Sequence, residues 1–202
     1  MIGGEVAVVI VAAGAGRRLG GVAKALLPAG SASFLATIAA TAAGAGAGRA
    51  VVVIGPPHGE RVADEARRLG LELVENPDPD RGMSSSVAIG FEHALERFAG
   101  AAAALLWPVD HARVARATVA RLVSEVDASR AVIPTWRGRG GHPTAFGRAL
   151  WPELAGCAAL PRGARSVLDS DAGRVLRIEV DDPGVTADVD RAEDLPWPPW
   201  PP

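Results

Sequence analysis

Val6-Ala7-Val8-Val9-Ile10-Val11-Ala12-Ala13-Gly14-Ala15-Gly16-Arg17-Arg18-Leu19-Gly20-Gly21-Val22-Ala23-Lys24 runs near the start of the chain, an apolar segment that passes without a break into a glycine-rich loop. Residues 6–11 are rich in β-branched side chains and show no polar alternation, which predicts a strand buried on both faces. A loop of this composition leaves backbone N–H groups open, and open N–H groups followed by a cation make a polyphosphate cradle. The cation is Lys24, the only lysine in the chain; the other cationic side chains, histidines aside, are all arginine. Lysine supplies a compact, movable ammonium where arginine supplies a fixed planar fork, so this isolated use points to a specific need, the binding of a phosphate.

Outward from this segment, apolar runs at 50–54, 71–74, 103–109, 131–133 and 175–180 read as further strands. Helical patterns at 34–43, 60–69, 84–98 and 114–126 alternate with them, with Ser31 and Ser33 as candidate N-caps and Gly70 as a C-terminal glycine. This alternation predicts a three-layer α/β domain with a mainly parallel, mixed sheet, and ligands outside the carboxyl ends of its strands. The residues that follow the strands are Arg18 and Lys24, then Asn76-Pro77 and Arg81-Gly82-Met83-Ser84-Ser85-Ser86, then Asp110, and finally Asp188 and Asp190. Asn76 is the only asparagine in the chain, and glutamine is absent.

A length of 202 residues suits one domain, expected over 1–195, followed by a Pro/Trp-rich tail at 196–202 that cannot extend a helix or sheet. The formal net charge of −2 argues against nucleic acid or a membrane surface as partner. The single cysteine, Cys157, excludes an internal disulfide framework and suits a reducing compartment; with no basic leader and no long apolar span, a cytoplasmic location is expected.

Three kinds of phosphate loop compete for residues 12–24. A Walker A loop needs Gly-Lys-Ser/Thr, whereas Lys24 stands between Ala23 and Ala25. A dinucleotide fingerprint needs Gly-x-Gly-x-x-Gly, whereas Gly14, Gly16 and Gly20 are spaced one residue too far, and the second strand ends at Gly55-Pro56-Pro57 without an acid for a ribose. A hydride-transfer enzyme is therefore disfavoured. A nucleotidyltransferase loop uses every special residue present, and the run Ala-Ala-Gly-Ala-Gly-Arg-Arg-Leu-Gly-Gly-Val-Ala-Lys-Ala-Leu-Leu-Pro resembles the signature of the MobA-like NTP transferases, above all the molybdenum cofactor cytidylyltransferases. Asn76-Pro77 with 81–87 and Gly90, Pro108-Val109-Asp110, Gly140-Gly141-His142-Pro143, Gly163-Ala164-Arg165 and 187–195 resemble that family's later motifs in order. Two departures concern the acceptor: His111-Ala112 follows Asp110, and the ending reads Asp-Val-Asp-Arg-Ala-Glu-Asp.

The resemblance implies a Rossmann-like nucleotidyltransferase fold and attack of an acceptor phosphate on the α-phosphorus of an NTP. Ala12, Ala13, Gly14, Ala15, Gly16, Asn76, Ser84, Ser85 and Ser86 would border the nucleotide, with CTP favoured by the Ala-Ala-Gly turn. Arg18 and Lys24 would neutralise the phosphates, and Asp110 with Asp188 would hold Mg2+, Asp190 being the alternative second ligand. His142, Trp136 and Arg139 are the expected acceptor contacts; Trp136 and Arg139 are equally explained as part of a basic loop with an aromatic anchor, and His142 as a structural histidine. The acceptor would be a phosphorylated small molecule such as molybdopterin, with a sugar phosphate as the alternative and a molybdoenzyme or its chaperone as the implied protein partner; a non-catalytic cofactor-binding protein that keeps the fold is the other alternative.

Overall fold

The structure is a computed structural model and describes residues 5–194; the Pro/Trp tail lies outside the described residues. The chain runs β1 (Glu5–Val11), a hairpin of β2 (Pro28–Ala29) and β3 (Ala32–Ser33), α1 (Phe34–Gly44), β4 (Ala47–Ile54), α2 (Gly59–Arg68), β5 (Glu72–Glu75), α3 (Met83–Arg97) and β6 (Ala101–Pro108). It continues with α4 (Arg116–Glu125), β7 (Ala131–Trp136), β8 (Arg139–Gly140), β9 (Thr144–Gly147), α5 (Trp151–Ala155), α6 (Ala164–Ser170) and β10 (Val175–Glu179), joined in places by single 3-10 turns.

The main sheet has the order β10-β7-β9-β6-β1-β4-β5, with β8 paired to β7. β1 is parallel to both β4 and β6, and β7 is parallel to β10. β9 alone runs antiparallel to both its neighbours, β6 and β7. The α/β architecture with a mainly parallel, mixed sheet is therefore as the sequence predicts. Residues 144–147 carry no usable periodicity, which is why β9 was not legible as a strand.

Helices cover both faces. Val6, Val8 and Ile10 of β1 enter one apolar cluster with Phe34, Leu35 and Ile38 of α1 and Leu122 of α4. Ala7, Val9 and Val11 enter the other, with Phe91 of α3 and Trp151 of α5. Alternate residues thus feed opposite cores, each fully buried Val or Ile stabilising the fold by about 1.5–3 kcal/mol. Ser33 does cap α1, its Oγ accepting from the Ala36 N–H at 3.0 Å. At Gly90 a Cβ would lie 2.4 Å from Val9 Cγ1, so α3 packs hard against the centre of the sheet and its first turn is fixed beside the β1 loop.

Candidate nucleotide site

The ends of β1, β6 and α3 enclose a cavity of about 490 Å3, lined among others by Val11, Ala13 to Arg18, Lys24, Met83, Ser86, Asp110, His142, Asp188 and Asp190. Its floor is the glycine loop. Ala12 continues the sheet, its N–H donating to the Val53 carbonyl at 2.9 Å. Thereafter, among the described residues, the N–H groups of Ala13, Gly14, Ala15 and Gly16 donate to no backbone carbonyl. Gly16 has φ of 61°, and a Cβ there would lie 2.0 Å from the Val22 carbonyl oxygen. Its own carbonyl accepts from Leu19 and Gly21, which curls the loop so that 13–16 present open donors to the cavity.

Lys24 is where the loop meets the acids. Its Nζ donates to Asp110 Oδ2 at 3.0 Å and to Asp190 Oδ1 at 2.5 Å, and Arg18 Nη1 reaches Asp190 Oδ2 at 2.5 Å. The Lys24 side chain is only 15% exposed. Burial works against its ammonium, yet the combined pull of Asp110 and Asp190 outweighs it and raises the Lys24 pKa. The hydrogen bond from Lys24, with Arg18 adding to it, holds the Asp190 carboxyl below its ordinary range despite partial burial. Both side chains remain charged at neutral pH, so Asp190 occupies the cations that a phosphate would use.

The turn carrying Asp110 is rigidly held. Val109 N–H donates to the Val11 carbonyl, buried Trp107 donates Nε1–H to the His111 carbonyl at 2.9 Å, and Val189 N–H donates to the Asp110 carbonyl. Asp188 lines the same cavity. A rim clasp closes the opposite side, where Arg17 Nη2 makes a forked bond to Asp80 at 2.8 and 2.9 Å.

The serine segment divides its duties. Asn76 is 2% exposed and lines neither this cavity nor the one below. Its Nδ2 donates to Ser85 Oγ and Ser86 Oγ, each at 2.8 Å, while its Oδ1 accepts from the Asp78 N–H. Ser85 returns its proton to the Gly82 carbonyl and is buried in the helix start. Ser86 accepts from Asn76 and lines the cavity, so its hydroxyl proton is free to serve a ligand. Ser84 faces elsewhere, into a second cavity lined also by His142, Leu106 and Arg177. Asn76 and Ser85 therefore orient the site from behind it.

His142 lines both cavities and lies against His111, ring centroids 4.9 Å apart. Burial, with the neighbouring His111 adding to it, pushes the His142 imidazole down to about 4, so it is neutral at pH 7. Burial likewise lowers His111. The Nδ1 atoms of both are buried without a partner among the described residues. Trp136 packs on the α1/α4 side of the sheet, with Arg137 stacked on its ring at 4.5 Å. Neither Trp136 nor Arg139 lines either cavity.

Arg17, Asp80, Met83 and His111 also line this cavity, and nothing in the sequence by itself gives them a place in it. Their placement depends on α3 and β6 arriving beside β1. Adjacency to Arg18, Arg81-Gly82 and Asp110 is the only signal the sequence carries for them, and it says nothing of direction.

Among the described residues, no group of three or more His, Cys, Asp or Glu side chains converges to hold a metal ion unaided. Asp110 and Asp188 supply hard oxygen donors in the cavity, a set that suits a Mg2+ ion carrying most of its ligands as phosphate oxygens and water.

Comparison with known proteins gives the family and the fold. The family model described as MobA-like NTP transferase domain matches residues 8–175. Nicotine blue oxidoreductase from Paenarthrobacter nicotinovorans is 30% identical over 202 residues, covering 93% of both chains. The crystal structure of Rv0371c from Mycobacterium tuberculosis H37Rv superposes with a TM-score of 0.79 at 26% identity over 95% of each chain; a further structure of Rv0371c, in complex with manganese, has a TM-score of 0.70 at 24% identity, covering 94% of this chain and 95% of that one. A nucleotidyl transferase from Methanothermobacter thermautotroptrophicus has the same fold, with a TM-score of 0.79 at 24% identity, covering 95% of this chain and 94% of that one.

Proposed function

From the premise that this chain belongs to the MobA-like NTP transferase domain family, we propose that it transfers a nucleotidyl group, cytidylyl by preference, from an NTP to a phosphorylated small molecule of the molybdopterin kind, with Mg2+ as cofactor. The observation that carries this reading is the Lys24 node, a nearly buried ammonium bonded to both Asp110 and Asp190 beneath a loop of open N–H groups. In the reaction, an acceptor phosphate oxygen bonds to the α-phosphorus, the bond to the α–β bridging oxygen breaks, and pyrophosphate leaves with that electron pair. The acceptor is already an anion and needs no strong base, so the burden falls on positioning and charge neutralisation.

The residues divide that burden. Open N–H groups of 13–16 receive phosphate oxygens, and Ser86 donates its hydroxyl to the base or ribose. Arg18 and Lys24 meet the charge that builds on the leaving pyrophosphate, for which they must exchange Asp190 for the triphosphate. Asp110 and Asp188 would hold the Mg2+, which when bound neutralises phosphate charge. The manganese bound to Rv0371c agrees with a divalent ion in this fold.

A second reading has a specific observation in its favour: a relative 30% identical is named an oxidoreductase. One fold hosts different chemistries, so the site must choose. The loop lacks the dinucleotide spacing, and β4 is followed by Gly55-Pro56-Pro57 with no acid for a ribose; both favour transfer.

The deciding experiment is titration calorimetry with CTP, GTP, NADH and NADPH, each with and without Mg2+, together with pyrophosphate release. Mg2+-dependent binding of CTP is the expected result. Metal-independent binding of NADH or NADPH alone would replace the transferase with the reductase.

A further inference from the structure

A second cavity, of about 830 Å3, adjoins the nucleotide cavity and shares Met83 and His142 with it. Its apolar surface comes from Leu106 of β6, Ile133 of β7 and Phe146 of β9, neighbouring strands brought together because β9 is inserted between the other two. Its rim is cationic. Arg162 and Arg165 share one carboxylate, Asp169, at 2.8 and 3.6 Å. Arg177 stands on β10 beside Ile133 and, among the described residues, makes no ion pair or side-chain hydrogen bond.

The freedom of Arg177 has a structural cause. The acid nearest it on its own strand, Glu179, is already engaged by the Thr135 hydroxyl at 2.6 Å and the Arg137 N–H at 2.7 Å. Across from it stands Gly140, where a Cβ would come within 3.2 Å of Arg177 Nη1 and 3.4 Å of Ile133 Cγ2. The absence of a side chain at 140 gives the guanidinium its place at the cavity edge. On the opposite wall Gly163, at φ of 54°, lets α6 approach so closely that a Cβ would overlap Ser84 Oγ at 1.8 Å. A guanidinium without a partner among the described residues, beside an apolar floor, suits a ligand that brings both an anion and an apolar body.

We infer that this second cavity holds the acceptor of the transfer, and that the acceptor has a compact apolar body carrying an anionic group, remote from its reacting phosphate, that Arg177 binds. This rests on the nucleotidyl-transfer reading. The reacting end would lie at the seam of Met83 and His142, where the cavities meet, and the remote anion at the β10 rim.

The test uses 6-carboxy-2-naphthyl phosphate as probe, whose carboxylate stands for the remote anion, titrated into the full-length protein alone and after saturation with CTP and Mg2+, with 2-naphthyl phosphate and 6-hydroxy-2-naphthoate as controls. Saturable binding that persists beside CTP is expected, with both controls weaker. Arg177→Ala should raise the probe's dissociation constant about tenfold and Arg177→Lys less, while the affinity for CTP stays unchanged; a tenfold change corresponds to about 1.4 kcal/mol. Arg177 is exposed, so the variants should fold. Equal affinity in Arg177→Ala, displacement of the probe by CTP, or no saturable binding would overturn the inference. Failure of the wild-type protein to bind CTP would instead sink the transfer reading, a separate result because the probe is also titrated alone.

Discussion

Lowering the pH from 7 to 4 should destabilise the wild-type protein through His142, and a His142→Phe variant should lack that part of the loss. The imidazole is held down to about 4 against an ordinary value of 6.5, with burial as the main cause and His111 as the second. Above pH 6.5 it is neutral in both the folded and unfolded chain and its titration contributes nothing. Between 6.5 and 4 the unfolded chain takes up a proton that the folded one refuses, so stability falls as pH falls. A depression from 6.5 to about 4 is worth on the order of 3 kcal/mol, lost progressively as the pH falls through 6.5 toward 4. For a domain of this size that is a fall in Tm of roughly 6–12 °C. Urea unfolding at half-unit pH steps measures it. The variant removes a buried, unpartnered Nδ1 and changes the packing on His111, so absolute stability will differ throughout and the readout is the difference in slope. Parallel curves for the two proteins would refute the burial argument, as would a steeper fall in the variant.

Lys24→Ala should abolish most pyrophosphate release in a folded protein, and should cost about 1.5–3 kcal/mol because two carboxylates lose a charged donor; turnover and urea unfolding check both halves. Gly16→Ala should weaken CTP binding and lower stability by about 1–3 kcal/mol, since its positive φ and the Val22 carbonyl both exclude a side chain; calorimetry and thermal melts report this. Trp136→Ala should lower stability by about 1–2 kcal/mol without changing the KM for the acceptor, because the ring packs on the α1/α4 side of the sheet.

Much of this was legible in local chemistry. The unbroken apolar run of β1 could only be a strand buried on both faces, and its residues do feed two opposite cores. Gly16, Lys24 and Asp110 could be placed at strand ends because a strand followed by glycines and a lone cation has few other uses. Asn76 was conspicuous for its rarity, but its direction was not written in composition. Only the packing of α3 turned it inward to hold Ser85 and Ser86.

Asp188 and Asp190 show the same limit from the other side. Two residues apart in one segment, they are equivalent by spacing, yet the turn at Val189, pinned to the Asp110 carbonyl, sends Asp190 onto Lys24 and Arg18. The second cavity was invisible for a related reason. It exists because β9 lies antiparallel between β6 and β7, and its pairing with β6 joins residues about forty apart in sequence, which no local pattern encodes. Backbone propensity and apolar periodicity act over a few residues and fixed the elements of the fold. Which side chains share a cavity depends on the order of the strands, and that order is set by packing between distant parts of the chain.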